Sequence, residues 1–199
     1  TAEQLALTRM ACGAGSEFST NGLFVPNDHI YGVGKDTDFL IVDERHSTIF
    51  RNPQAVTDAH RMRREIDASE DYDRLRQMAS THALKALENG VLLVTRDSYT
   101  EKLPAVKLGQ FDVAVFVFGW ETAADYGRWL KEERGIEYVS HTIESAGYTS
   151  RQRKQFVRAS WVSSLSLSSG LDGSRKNLHL DGSRVRAVSY FSVAEKATG

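Results

Sequence analysis

The sequence contains only one cysteine and three prolines among its 199 residues, so it has few of the residues that cross-link a chain or fix its backbone angles. A single cysteine, Cys12, excludes a disulfide within these residues and a cysteine-rich zinc site. The low proline count and a hydrophobic fraction of 41% exclude collagen-like and intrinsically disordered chains. We therefore expect a chain that folds around a hydrophobic core, by default in a reducing compartment.

Long apolar segments are also missing. The longest apolar run, residues 113–118, is far shorter than the roughly 20 residues that a membrane-spanning helix needs. Residues 1–10 have neither the basic nor the apolar region of a signal peptide. We therefore expect no membrane partner, no secretion by a signal peptide, and a location in the cytoplasm or in a virion.

The net charge of −1 conceals an uneven distribution along the chain. Residues 145–199 carry nine basic and three acidic side chains, whereas the rest carries 16 basic and 23 acidic ones. A basic region of this kind indicates contact with a polyanion or with an acidic protein surface, such as another copy of the same chain. The alternative is that the charges of both parts interleave on one surface. The basic residues expected to contact a partner are Arg151, Arg153, Lys154, Arg158, Arg175, Lys176, Arg184 and Arg186.

The spacing of glycines and apolar runs predicts three segments. Residues 1–35 are expected to form a helix and a long loop or arm, because residues 13–34 contain five glycines and one proline. Residues 36–144 are expected to form an α/β core. Residues 145–199 are expected to form a basic helix and a β-meander, since the sequence Leu-Asp-Gly-Ser-Arg occurs twice there and Asp-Gly is typical of tight turns.

Within the core, apolar runs at 39–42, 91–94 and 136–139 predict strands, and one helix is expected from Ser69 to Asn89. The unbroken run 113–118 predicts a central strand that is buried on both faces. A strand, a helix and a strand over residues 113–139 would form a βαβ unit, which has parallel strands. The sequence therefore predicts an α/β fold, with a partly parallel sheet flanked by helices and a C-terminal antiparallel basic β extension.

Three acidic residues follow predicted strands: Asp43, Asp97 and Glu121. In a parallel sheet they would meet at one edge, where carboxylates can bind Mg²⁺ or Mn²⁺ and activate water for phosphodiester cleavage. Residues 92–97, with Asp43 upstream, are similar to the acidic strand ends of PIN-like nucleases, although the two ends of the chain match nothing in that family. The alternative is that these carboxylates cap helices or face solvent. His46 and His141 are the histidines considered as general bases.

The densest basic segment, residues 151–158, is expected to be helical. Arg151, Lys154 and Arg158 would then share one face, which could neutralise phosphates, while Phe156 could stack on a base. The alternative is a solvated basic face with Phe156 in the core.

Two functions follow from these patterns. The first is a non-catalytic component of a larger assembly, such as a virion or a nucleoprotein complex. It would contact neighbouring subunits, including copies of itself, or nucleic acid through its basic C-terminal region. The alternative is a nuclease that depends on Mg²⁺ or Mn²⁺. The geometry of the three carboxylates distinguishes them, because an enzyme of this kind needs their oxygens to converge on a metal ion.

Overall fold

The computed structural model describes residues 1–20, 22–33, 38–62, 65–142, 154–162, 165 and 170–173. The strands are β1 (Leu23–Tyr31), β2 (Phe39–Val42), β3 (Ile66–Asp67), β4 (Val91–Val94), β5 (Lys102–Pro104), β6 (Tyr138–Thr142), β7 (Phe156–Val162) and β8 (Gly170–Gly173). The α-helices are α1 (Ala2–Cys12), α2 (Glu17–Thr20), α3 (Thr48–Arg51), α4 (Pro53–Met62), α5 (Ser69–Met78), α6 (Ala83–Asn89), α7 (Asp112–Phe118) and α8 (Trp120–Arg134). Short 3₁₀ helices span Arg96–Ser98 and Ala105–Gln110.

The eight strands in the described part of the chain belong to one sheet, whose order is β4-β2-β1-β7-β8-β6-β5, with β3 pairing β7 beside this path. Between the described strands, every pairing is antiparallel except the short contact of β6 with β8. The predicted α/β fold with a partly parallel core is therefore wrong. The fold combines helices with an antiparallel sheet, and the predicted βαβ unit over residues 113–139 is a helix, a second helix and a strand.

The apolar run that was expected to be the central strand forms most of α7. Five consecutive residues of this helix, Ala114 to Phe118, are buried. Helices α1, α6 and α8 and strand β4 all contact α7. A helix that is enclosed on all sides carries no polar stripe, so its sequence lacks the helical periodicity that would distinguish it from a buried strand.

Two further elements differ from the sequence prediction. The helix expected from Ser69 to Asn89 is divided into α5 and α6, because Ala79 is extended and Ser80 forms a β-bridge with Leu92. The loop expected over residues 13–34 contains α2 and the long strand β1. Strand β1 accommodates Pro26 at an irregularity between Val25 and Asp28, where proline removes no regular ladder hydrogen bond.

The sheet is buried on both faces. Along β2, Phe39 and Ile41 pack into one hydrophobic cluster, and Leu40 and Val42 pack into another. Helices α1, α6, α7 and α8 contribute to the first cluster, and α3 and α5 contribute to the second. Burial of each such side chain contributes about 1.5–3 kcal/mol to stability. Because neither face of β2 is solvated, its sequence is a continuous apolar run.

Strand β7 lies in the middle of the sheet and pairs along β1, from Leu23 with Val162 to Tyr31 with Phe156. The predicted arm, core and C-terminal extension all contribute strands to this sheet. The boundaries at residues 35 and 144 stay a prediction, and the β-meander expected after β8 lies outside the described residues.

Two helices approach each other closely at Gly127, where α8 crosses the 3₁₀ helix Ala105–Gln110. A Cβ atom at residue 127 would overlap the backbone carbonyl oxygen of Ala105 and lie 3.2 Å from the Cβ of Leu108. In an open helix, alanine is more favourable than glycine by about 1 kcal/mol. The crossing therefore requires glycine, although glycine is less favourable than alanine within a helix.

We expect Gly127→Ala to lower the free energy of unfolding by about 2 kcal/mol, because a backbone oxygen cannot move aside as a side chain can. Urea denaturation measures the change. Gly15→Ala is the control, since a Cβ there has no atom within 4 Å, and it should change stability by less than about 0.5 kcal/mol. A Gly127→Ala protein as stable as the wild type would contradict this packing.

Candidate functional site

A half-open cleft of about 120 Å³ lies beside β4. Its walls come from β4, from the segment around the 3₁₀ helix Arg96–Ser98, from the start of α7 and from β6. The lining residues are Thr81, Leu92, Leu93, Val94, Ser98, Tyr99, Thr100, Leu103, Gln110, Phe111, Asp112, Val113 and His141. The cleft is somewhat smaller than an enclosed cavity of about 150 Å³, which admits benzene.

The cleft is apolar inside and polar at its rim. Leu92, Val94 and Leu103 are buried, whereas Thr81 and Gln110 are exposed. This is the usual composition of a small-ligand site, in which apolar walls surround a few polar groups that fix orientation.

One carboxylate lines the cleft. Oδ1 of Asp112 accepts a hydrogen bond of 2.6 Å from the backbone N–H of Ala83, at the start of α6. Among the described lining residues it is the only charged side chain. The cleft therefore carries negative charge at its rim, which disfavours anionic ligands.

His141 is the most buried polar residue of the lining, with 1% exposure. Its Nε2 atom lies 3.4 Å from Nε2 of His29, and Nδ1 of His29 lies 2.8 Å from Oγ of Ser160. Both His29 and Ser160 are fully buried. The hydroxyl of Tyr99 donates to the backbone carbonyl oxygen of His141. A chain of three polar side chains thus runs from the cleft into the centre of the sheet.

The histidine pair is held neutral. Burial lowers the pKa of His29 well below its ordinary value, with a smaller lowering from His141, and burial lowers the pKa of His141 to about 4. In the neutral pair, one ring donates its Nε2 proton to the unprotonated Nε2 of the other. A second proton would place two N–H groups head to head in a buried region. The pair therefore resists protonation.

Asp43, expected to be a metal ligand, has a structural role. Its carboxylate accepts hydrogen bonds from the backbone N–H and the Nε of Arg45. The Arg45 guanidinium then donates to the carbonyl oxygens of Leu87 and Glu88, and His46 contacts that of Asn89. These carbonyls lie in the last turn of α6, where helices leave acceptors without partners. Asp43 thus orients the side chain that caps a helix.

The other two carboxylates lie on separate exposed elements. Asp97 belongs to the 3₁₀ helix Arg96–Ser98, and Glu121 lies in the first turn of α8. In the part of the chain that the structure describes, no group of three histidine, cysteine or acidic side chains is arranged to hold a metal ion. The edge at which all three were expected to meet does not exist, because the strands that they were expected to follow are not parallel and one of them is α7.

The basic helix predicted over residues 151–158 also differs from the structure, because strand β7 begins at Phe156. Lys154 is exposed and pairs with the exposed Asp67 at 2.7 Å, a contact that lowers the pKa of Asp67 to about 2. Arg158 lies on β7 with 3% exposure and donates to Glu65 at 2.7 Å. Arg158 therefore belongs to the core and cannot share an exposed helical face with Lys154. Arg151, Arg153, Arg175, Lys176, Arg184 and Arg186 lie outside the described residues.

We expect Arg158→Glu to lower the free energy of unfolding by about 3 kcal/mol or more, because it places a second negative charge beside the half-buried Glu65. Lys154→Glu, four positions before Arg158, is the matched control, since it reverses the exposed partner of Asp67 and should cost less than about 1 kcal/mol. Chemical denaturation of both variants tests this. Equal effects of the two reversals would show that Arg158 is not buried.

The neutral histidine pair predicts a pH dependence of stability. Because the pKa of His141 is lowered, the unfolded chain binds its proton below about pH 6.5, whereas the folded chain binds it only near pH 4. Stability is therefore lost as pH falls through this window, by about 3 kcal/mol for this residue. Burial raises the pKa of Asp28 to about 6, which has the opposite effect on stability.

Asp28 is present in both the wild type and the His141→Phe variant, so its contribution cancels when their free energies of unfolding are subtracted. We expect the stability advantage of the wild type to decrease by about 1 kcal/mol per pH unit between pH 6 and 4.5, measured by urea denaturation. His82→Phe, at an exposed histidine, should leave the pH profile parallel to that of the wild type. A parallel profile for His141→Phe would contradict a neutral buried pair.

Comparisons with known proteins give one likeness of fold. No protein-family model and no curated protein matches the chain. A solved structure described under "Accommodation of massive sequence variation in Nanoarchaeota by the C-type lectin fold" is similar, with a TM-score of 0.58 and 16% sequence identity. The match covers 86% of this chain and 79% of that one. At this identity it shows the fold alone, a C-type lectin-like arrangement of helices and antiparallel sheet.

Proposed function

We propose that this protein is a non-catalytic component of a larger assembly, a virion or a nucleoprotein complex. It contacts neighbouring subunits or nucleic acid through its basic C-terminal region. The observation that carries the proposal is the charge distribution, because nine basic side chains stand against three acidic ones in residues 145–199. Such a region attracts polyanions and acidic surfaces over about 8–10 Å at physiological salt.

The described residues narrow the contact region. Arg158 is buried and paired, so it is not part of the contact. Five of the remaining basic residues follow β8 directly in the sequence, and β8 pairs with β7 and β6 in the sheet. We therefore assign the contact to the other predicted basic residues, with Lys154 as an exposed one near the start of β7: Arg151, Arg153, Lys154, Arg175, Lys176, Arg184 and Arg186.

The fold supports a binding role. The similar structure is described as one in which the C-type lectin fold accommodates massive sequence variation. A framework that tolerates such variation suits a protein whose function depends on the surface that it presents. In this chain, the framework would be the sheet buried between two hydrophobic clusters.

A metal-dependent nuclease is not favoured. The three carboxylates that would carry its chemistry do not form a metal site among the described residues, and Asp43 already orients Arg45. No membrane contact is part of the proposal. In the ranges that the structure describes, no helix has both the length and the apolar composition to span a bilayer.

The proposal predicts salt-sensitive association. At low ionic strength the protein should bind a heparin column or self-associate in light scattering, and about 0.5 M salt should abolish either behaviour by screening. The variant Arg175→Glu/Lys176→Glu/Arg184→Glu/Arg186→Glu should lose it.

The control reverses four exposed basic residues outside the C-terminal region: Arg74→Glu/Lys85→Glu/Lys107→Glu/Arg128→Glu. It changes the net charge equally and should reduce association much less. Equal losses in both variants would mean that net charge alone drives association. A wild type that stays monomeric and binds no polyanion at low salt would refute the proposal.

A further inference from the structure

We propose that the buried histidine pair binds a soft monovalent metal ion, Cu⁺, between the Nε2 atoms of His29 and His141. The ion forms one bond to each imidazole nitrogen. His29 lies on β1 and His141 on β6, so the site is inside the sheet. It is independent of the basic C-terminal region and of the contact proposed for it.

The two imidazole rings face each other head-on. Their Nε2 atoms are 3.4 Å apart and their ring centroids 5.7 Å apart, a difference of 2.3 Å. This difference is about twice the distance from the centre of an imidazole ring to one of its nitrogens, so both Nε2 atoms lie close to the line that joins the rings. The separation of 3.4 Å exceeds the roughly 2.7–3.2 Å that is usual for a hydrogen bond from an N–H group. The pair is therefore aligned for a linear bridge, while its direct hydrogen bond is long and weak.

The protein orients His29 as a metal ligand is normally oriented. Its Nδ1 atom lies 2.8 Å from Oγ of the fully buried Ser160. A metal-binding histidine typically donates its second ring N–H to an oxygen atom, which fixes the tautomer and the orientation of the ring. With Nδ1 of His29 as the donor, its Nε2 is unprotonated and directs a lone pair at His141. When the ion binds, the proton of His141 moves from Nε2 to Nδ1, so both rings stay neutral.

The number of ligands selects the ion. Among the residues that the structure describes, no group of three histidine, cysteine or acidic side chains is arranged to hold a metal. Structural zinc takes four ligands, whereas Cu⁺ accepts two donors in a line, and imidazole is a suitable ligand for copper. The cost of burying an ion increases with the square of its charge, so a monovalent ion is much less costly here than a divalent one.

Small movements accommodate the ion. Metal–imidazole bonds of about 2 Å in a line require nitrogens about 4 Å apart, so each ring moves outward by about 0.3 Å. The ring centroid of Phe39 is 5.8 Å from that of His29 and 5.9 Å from that of His141. It therefore lies about 5 Å from the midpoint of the pair, within the distance of about 6 Å at which aromatic rings attract cations. His141 lines the half-open cleft beside β4, which gives an ion a route from solvent to this residue.

The test titrates the protein with Cu⁺ without oxygen, in the presence of bicinchoninate, a coloured competitor for this ion. It uses the Cys12→Ser protein, because the exposed thiol of Cys12 would bind Cu⁺ as well. We expect a single Cu⁺ per chain, with X-ray absorption showing two nitrogen neighbours at about 2 Å and no sulfur. No binding by the Cys12→Ser protein, or sulfur among the copper neighbours, would overturn the proposal. Zn²⁺ held by the same nitrogens more tightly than Cu⁺ would also overturn it.

Two variants locate the ion. His141→Phe removes one ligand and should weaken Cu⁺ binding by about a hundredfold or more, whereas His82→Phe, at an exposed histidine, should leave it unchanged. Ser160→Ala removes the oxygen that orients His29 and should weaken binding by about tenfold, with the two nitrogen neighbours retained. If His141→Phe does not fold, the absorption spectrum of the Cys12→Ser protein still decides. Equal affinities of His141→Phe and His82→Phe for Cu⁺ would contradict the site.

Discussion

The pairing of β1 with β7 is the constraint on which the rest of the structure depends. It joins residues near the two ends of the described chain and places both strands in the middle of the sheet. It holds Ser160 on β7 within reach of His29 on β1, and it places Arg158, which donates to Glu65, inside the sheet. A buried hydroxyl or charge without a partner is costly, so β7 can occupy this position only because these partners are present.

The same constraint shapes the site. Ser160 fixes the ring of His29 on β1. That ring contacts His141 on β6, a strand that β7 and β8 separate from β1 in the sheet order. His141 also lines a cleft to which β4 and the start of α7 contribute. The inner end of the cleft is therefore built by strands that are remote in sequence. Its rim is built by short loops, which can change without disturbing the pairing beneath.

The sequence predicted the elements whose burial pattern leaves a clear signal, and it failed where burial is complete. Strands β2 and β4 were predicted correctly, because short apolar runs between polar residues suit strands. The run that forms α7 looks the same but is enclosed on all sides, so length and composition could not separate helix from strand. Strand β1 was missed because Pro26 and the polar residues Asn27, Asp28 and His29 are typical of loops. Their burial depends on contacts with distant residues.

The candidate site was only partly predictable for the same reason. His141 was singled out for its position after a strand, but its partner His29 lies in a segment predicted to be a loop. Arg158 was expected at the surface because Arg151, Lys154 and Arg158 follow one another at spacings of three and four residues, which place side chains on one face only in a helix. In strand β7, Val157 and Arg158 point to opposite faces of the sheet, and both are buried. Glu65 compensates the charge of Arg158. Partners that are far apart in sequence leave no local pattern.

Amide hydrogen exchange of the native protein tests most directly whether β7 is the centre of the fold. If β7 completes the sheet, its amides should exchange as slowly as those of β1 and β2, through global unfolding, with a common dependence on denaturant. The account is contradicted if the amides of β7 exchange by local opening while β1, β2 and β4 remain protected. In that case β7 would be a separable extension, and the hydrogen-bonded side chains from Ser160 to His141 would not support the cleft.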